Sequence, residues 1–324
     1  MENGGENMNW ETRVTKLLNI KYPIIQGGLA HLAYADLAAA VSNAGGLGQV
    51  TAMSLESPEL LKEEIRKTKS MTKFPFGVNF SIGQQGRPFE AYVEAALEEG
   101  MQVATITGGN PKPVFDALKG TGVKKLVLVA GKRQAQKAEE LGADAVIVVG
   151  QEGGGHLGRD DIGTMVLVPQ VVDAVSIPVI ASGGIGDGRG LMAAFCLGAE
   201  GIEMGTRFIA TKECVHANEL YKQALINGSE RDTVVIKRSI GAPARAISNN
   251  WTDEILRLEA QQVGYDGLKD YISGVKNKQY IHAGQLDEGF AWAGQVLGMI
   301  KDVPSVEELF QNMISTAENI RTKW

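Results

Sequence analysis

Short apolar runs alternate with longer amphipathic stretches along most of this chain. The first run, Pro23–Gly28 (PIIQGG), precedes an alanine-rich helical stretch over Ala33–Ala44. Leu47–Val50 precedes a charged helix across Glu59–Lys69, and Phe76–Phe80 precedes one over Phe89–Glu99. Val103–Thr107 leads to Pro113–Leu118, and Lys125–Ala130 leads to Arg133–Leu141. Ala145–Gly150 passes through a long loop to Thr164–Val175. Pro178–Gly184 leads to Gly188–Leu197, and Gly201–Phe208 leads to Val215–Asn227. The runs are β-branched and nearly continuous in apolarity, as parallel strands covered on both faces are. Eight strand–helix units predict an α/β fold, a TIM-type (β/α)8 barrel over residues 11–211. An open doubly wound sheet is the rival, and the repeat number favours the barrel.

Beyond the eighth run the rhythm breaks. Residues 212–286 carry helical patterns without alternation, among them Glu254–Gln262 and Gly267–Ile272, and read as a small helical domain inserted after strand eight. The last stretch, residues 287–324, is again helical over Gly289–Ile300 and Val306–Arg321, and is expected to pack back on the barrel.

Composition narrows the function classes. The 324 residues are 44% hydrophobic and 22% charged, ample for a core that needs no disulfide or metal staple. A net charge of −6 repels phosphate backbones and argues against nucleic acid as a partner. No apolar stretch has the length of a transmembrane helix, so no membrane is expected. Met1–Trp10 is polar, lacks the pattern of a signal peptide and reads as a frayed tail. The two cysteines, Cys196 and Cys214, show no ligand spacing and suggest a reducing, cytoplasmic setting.

A barrel carries its active site at the C-terminal ends of its strands, with phosphate groups commonly held after strands seven and eight. Ser182-Gly183-Gly184-Ile185-Gly186-Asp187-Gly188 and Gly205-Thr206-Arg207 occupy those places. Bare glycine amides before a helix attract phosphate, and Ser182 and Thr206 add hydroxyls. Tight turns alone would explain one such loop; two at adjacent places favour phosphate. After strand six, Gly150–Asp161 (GQEGGGHLGRDD) sets His156 among glycines that let a ligand approach the backbone. Its imidazole can donate or accept a proton near neutrality, and its strand-end position favours a chemical over a structural role. Gly153, Gly155 and Gly158 also spell G-x-G-x-x-G with Asp173 downstream, but no helix starts at once, as a dinucleotide site requires. Gln26, Gly27 and Gly28 end the first run and Asn79 lies in the third; their carboxamides suit the donor–acceptor edge of a flavin, or bonds within the barrel wall. Lys212, Arg231, Lys237, Arg238 and Arg245 form a basic group, solvated or suited to a phosphate-bearing substrate. His31, His216 and His282 lack the spacing of a metal set, and no metal is expected.

The ordered motifs PIIQGG, NAGGLG, FGVNF, GGGHLG, LVPQVVDAV, IPVIASGGIGDGRG and LGAEGIEMGTRF resemble the nitronate monooxygenase (2-nitropropane dioxygenase) family, which includes flavin-dependent enoyl-acyl-carrier-protein reductases and NAD(P)H:quinone reductases. The resemblance spans Lys21 to Arg207 and resumes at GFAWAGQ, Gly289 to Gln295. It implies FMN, with phosphate contacts at Ser182, Gly183, Gly184, Gly205 and Thr206. It further implies ring-side contacts at Gln26, Gly27, Gly28, Asn79 and Gly154, the active-site histidine at His156, and a returning segment at Gln295. The activity implied is oxidation of alkyl nitronates with O2 to carbonyl compounds and nitrite. The alternative is NAD(P)H-dependent reduction of enoyl thioesters or quinones. The implied partners are a nitronate, O2, NAD(P)H for the alternative, and a second copy of the chain in a homodimer. Two positions depart from relatives: His31 stands where an aromatic is frequent, and Leu128 where quinone-reducing relatives can carry lysine.

Overall fold

Alternation within the apolar runs shows how the barrel is filled. In a computed structural model that describes residues 9–83 and 88–323, the strands are β1 (Ile24–Gln26), β2 (Gly48–Thr51), β3 (Phe76–Ser81), β4 (Val103–Thr107), β5 (Lys124–Val129), β6 (Ala145–Val149), β7 (Gly155–His156), β8 (Val179–Ser182) and β9 (Gly201–Met204). All but β7 form one parallel sheet, in the order β1-β9-β8-β6-β5-β4-β3-β2. A bridge between Ile25 and Leu47 joins its two ends. The Gln26 N–H donates to the Leu47 carbonyl at 3.0 Å and the Leu47 N–H to the Ile24 carbonyl at 3.0 Å. The sheet therefore closes into a TIM barrel, which removes the open-sheet rival.

Ile25, Val103, Leu126, Ala145, Ile147 and Ile180 pack together as one apolar set. Their strand neighbours Ile24, Ala104, Val127, Val146, Val148 and Ala181 pack in the other, helix-bearing set. Successive strand residues point to opposite faces, so both inside and outside are apolar, and the runs lack polar alternation. Val14 and Leu18 of the helix Arg13–Leu18 join the first set. The Thr12 hydroxyl donates to the Glu200 carbonyl just before β9, so this helix covers the N-terminal end of the barrel. Chemistry is left to the opposite end.

Local signals fix the helices. Ser57 caps Pro58–Met71, Asp187 caps Gly188–Cys196, and Ser305 forms a capping box with Glu308 at Val306–Arg321. The final helix packs against the helices Gly188–Cys196 and Ala35–Asn43. At Gly188 a Cβ would lie 2.3 Å from the Met313 carbonyl oxygen, so only glycine lets these helices approach so closely.

Four expectations change. Strand eight stops at Met204 rather than Phe208, because the chain turns at Gly205 into the short helix Thr206–Ile209. The segment 212–286 is not wholly helical: β10 (Thr233–Ile236) and β11 (Ala244–Ile247) form an antiparallel ribbon, and β11 also pairs with β7. Thr-Val-Val-Ile is a β-favouring run whose partner Ala244–Ile247 follows after seven residues as a hairpin, so its signal was local and the helical reading passed over it. Gly289–Ile300 holds only the short 3-10 helix Gln295–Met299, with Trp292 bridged to Ala246. Of the polar N-terminal stretch, residues 1–8 lie outside the described residues. Trp10, however, is buried, its ring 6.2 Å from that of Tyr22 and 6.1 Å from that of Phe195; so large an apolar surface is costly to leave in water.

Candidate active site

The C-terminal strand ends open on a cleft of about 1900 Å³. Gly27 and Gly28 border it after β1, Asn79 in β3, and Gly154 and His156 after β6. Ser182, Gly183 and Gly184 border it after β8, and Gly205 and Thr206 after β9. These segments, far apart in sequence, share one space. Gln26 and Gln295 are outside its lining. Gln26 is bound in the wall: its amide donates to the Gly27 carbonyl at 2.6 Å, and its Oε1 accepts from the Gln49 N–H at 3.0 Å. Gln295 contributes its backbone N–H, which donates to the Glu152 carbonyl at 2.9 Å.

Several glycines are required by close approach. A Cβ on Gly28 would lie 2.5 Å from Asn79 Cγ, and one on Gly154 would lie 2.6 Å from the Ala293 carbonyl carbon. Gly183 and Gly184 have φ of +92° and +76°, the left-handed region that side chains avoid. Thr206 Oγ1 accepts from the Gly294 N–H at 2.9 Å, tying the returning C-terminal segment to the end of β9. The Glu152 carboxylate accepts from the N–H of Thr164 at 2.9 Å and from its hydroxyl at 2.9 Å, which anchors the loop at the start of the helix Thr164–Val172. The G-x-G-x-x-G run therefore passes through β7 and a loop before any helix starts.

His156 is held by the ribbon, not by the barrel. Its backbone pairs opposite Ala244 in β11, and Arg245 beside it donates to the Gln151 carbonyl at 3.1 Å. The imidazole is open to the cleft. Lys237 Nζ lies 3.0 Å from His156 Nε2 and 5.2 Å from the centre of the Trp292 ring. Enclosure by protein and then the Lys237 charge push the His156 pKa down to about 4. Burial pulls Lys237 down to about 8, partly opposed by Glu259. A protonated Lys237 donates to Nε2, which leaves the ring proton of a neutral His156 on Nδ1.

A second titratable group lies deeper. Glu203 in β9 is 4% exposed, and the Ser182 hydroxyl donates to its Oε2 at 2.9 Å. Its Oε1 has no hydrogen-bond partner. Desolvation raises its pKa to about 7, opposed by the Ser182 bond. Sequence reasoning passed over Glu203, although a carboxylate inside the buried strand Gly-Ile-Glu-Met was a visible anomaly. It also left Trp292 and Glu152 without a place in the site.

The basic group does not act as a unit. Lys212 pairs with Glu308, Arg231 with Glu230 and Arg238 with Asp161, whereas Lys237 alone of the five borders the cleft. Leu128 borders the cleft. The His31 N–H donates to Ser54 Oγ outside the cleft lining. Among the described residues no group of His, Cys, Asp or Glu gathers as a metal site, and no helix is long and apolar enough to cross a membrane.

Comparison with known proteins agrees with this geometry. The sequence profile described as nitronate monooxygenase matches residues 11–316. A probable nitronate monooxygenase of Staphylococcus saprophyticus is 33% identical, over 98% of this chain and 100% of that protein. FabK from Thermotoga maritima superposes with a TM-score of 0.90 at 37% identity, over 97% of this chain and 98% of that one. A nitroalkane oxidase from Streptomyces ansochromogenes superposes with a TM-score of 0.83 at 28% identity, over 96% of this chain and 99% of that one.

Proposed function

Because this chain belongs to the nitronate monooxygenase family of flavin-type oxidoreductases, we propose that it binds FMN in the strand-end cleft and oxidises alkyl nitronates with O2 to carbonyl compounds and nitrite. The observation that carries this reading is the meeting of the Gly183–Gly184 and Gly205–Thr206 loops with Gly154 and His156 around one space.

The residues present fit such a group. The left-handed glycines Gly183 and Gly184 expose amides of the kind that hold phosphate. At Gly28 and Gly154 the backbone itself is the cleft surface, where a flat ring can lie close. The unpartnered Oε1 of Glu203 and the Asn79 carboxamide offer polar atoms to a heterocycle's edge. FMN, when bound, would supply electron acceptance and the reaction with O2. The protein's share is placement. His156 is neutral near pH 7 and borders the substrate's place in the cleft, with Nε2 turned to Lys237. To accept a carbon-bound proton from a neutral nitroalkane, the ring needs its other tautomer, with the lone pair on Nδ1 and a deprotonated Lys237 accepting from Nε2–H. The ribbon β10–β11 fixes the direction of that ring, and residues 212–286 act as a cap on the barrel of residues 11–211. Residues 287–324 return Gly294 to the cleft and lay the last helix on the barrel wall.

The likeness to FabK favours a second reading, reduction of an enoyl thioester or quinone by NAD(P)H in the same cleft. The cleft extends past Lys132, Arg133 and Lys137, farther than a small nitronate needs. Nitrite release and O2 uptake with a propyl nitronate test the first reading. They should be robust in the native protein and fall about a hundredfold or more in His156→Asn with flavin retained. Absence of nitrite release, together with rapid NAD(P)H oxidation, would favour the second.

A further inference from the structure

Lys237 is an anomaly of charge. It is 7% exposed, yet none of the carboxylates among the described residues pairs with its ammonium. The charged groups nearest to it are engaged elsewhere. Glu259 accepts from the Lys237 and Ser239 backbone N–H groups at 2.8 Å each. Arg238 pairs with Asp161, and Arg245 is bonded to the Gln151 carbonyl. Glu259 favours the ammonium only from a distance, and a buried cation with no carboxylate in contact is expensive, so burial alone would favour an apolar residue at this place.

The side chain is nevertheless held in place. Lys237 has φ of +66°, a conformation a lysine rarely adopts, and the Glu259 contact fixes its N–H. Its Nζ lies over Trp292 and reaches the nitrogen of His156 that faces it. Lys237 also borders the cleft. An imidazole acceptor satisfies one of its three N–H bonds and none of its charge.

We propose that Lys237 is the anion-binding residue of the substrate site, its ammonium taking the negatively charged oxygen of the substrate beside a neutral His156. This deepens the reading of the cleft as a nitronate site and rests on it for the identity of the anion. The counter-charge missing from the protein is then brought by the ligand: a small planar oxyanion seated between Lys237, His156 and the Trp292 ring. His156 accepts one ammonium N–H and so aims the other two at the ligand, while Lys237 contributes the charge, so neither replaces the other. Because Lys237 comes from the ribbon, the inserted segment supplies part of the substrate site.

Nitrate, a planar trigonal oxyanion, is a probe that needs no turnover. Its affinity for the flavin-loaded protein is measured by calorimetry, for native protein, Lys237→Met and Lys237→Arg. Native protein should bind nitrate, Lys237→Met should bind it about tenfold or more weakly, and Lys237→Arg should recover most of the loss. In parallel, the NMR titration of His156 in Lys237→Met should move upward from its native value, since a neighbouring positive charge is removed. Should Lys237→Met fail to load flavin, Lys237→Gln carries the same two measurements. Unchanged nitrate affinity in the uncharged variant, or no nitrate binding by native protein, overturns the proposal. The nitronate reading fails separately: native protein that binds nitrate through Lys237 but gives no nitrite from a nitronate keeps the anion site and loses the assigned substrate.

Discussion

Replacing Glu203 by glutamine should stabilise the protein, and by an amount that grows with pH. The buried carboxyl titrates near 7 instead of its ordinary 4.5. In the folded state it holds its proton between those values, while the unfolded chain releases it. Folding therefore suffers no penalty from Glu203 below about pH 4.5, and stability is lost as pH rises through about 7. The penalty works out at about 0.8 kcal/mol at pH 5 and about 3.3 kcal/mol at pH 8, a difference of about 2.5 kcal/mol. Glutamine keeps an acceptor for the Ser182 hydroxyl and cannot ionise, so it escapes the penalty at both pH values. For 324 residues the unfolding entropy is about 0.7 kcal/mol/K, so the advantage in Tm should widen by about 4 °C between pH 5 and pH 8. Differential scanning calorimetry of both proteins stripped of flavin, at one scan rate, reads this directly; every other titrating group is common to the pair. An advantage that is the same at both pH values would refute the assignment of a protonated, buried Glu203.

Other consequences follow from the same geometry. With His156 pushed down to about 4, the pH profile of substrate oxidation should be flat through 6.5 and should lose the contribution of neutral His156 only below about pH 5. A protonation limb at 6.5 that disappears in His156→Asn would contradict the neutral imidazole. Gly154→Ala should drive a Cβ against the Ala293 backbone, 2.6 Å away, at a cost of about 1–3 kcal/mol; thermal unfolding and retained flavin per mole measure it. Arg245→Met strips the Gln151 carbonyl of its guanidinium partner and should raise hydrogen exchange in residues 150–160. Exchange left at the native rate would mean that the ribbon does not hold this loop.

The barrel was readable because its physics is local. Val146, Ile147 and Val148 all read as apolar whether they face helices or the barrel interior, and every barrel strand but β2 is followed within two residues by glycine. The glycine loops were readable for the same reason: Gly183 and Gly184 answer to backbone conformation, which composition records. The hairpin β10–β11 is local, but its place beside His156 was not readable. Val234 pairs with Ala246, and β11 then pairs with His156, 88 residues earlier than Ala244 in the chain; no window of sequence contains that contact. Gln26 shows the limit for single residues. A carboxamide at a strand end is equally suited to a ligand or to a neighbouring peptide, and here it bonds Gln49 and Gly27. Lys237 stood out only as one of several basic residues, because its burial and its missing counter-charge are properties of the folded chain.

The most direct measurement is anaerobic stopped-flow absorbance of the flavin-loaded protein, with an alkyl nitronate, NADH and NADPH each offered alone. If the cleft is a nitronate site, the nitronate alone should bleach the oxidised flavin band within turnover time, and the pyridine nucleotides should do so far more slowly. Rapid bleaching by NADH or NADPH with a nitronate-inert flavin would contradict it.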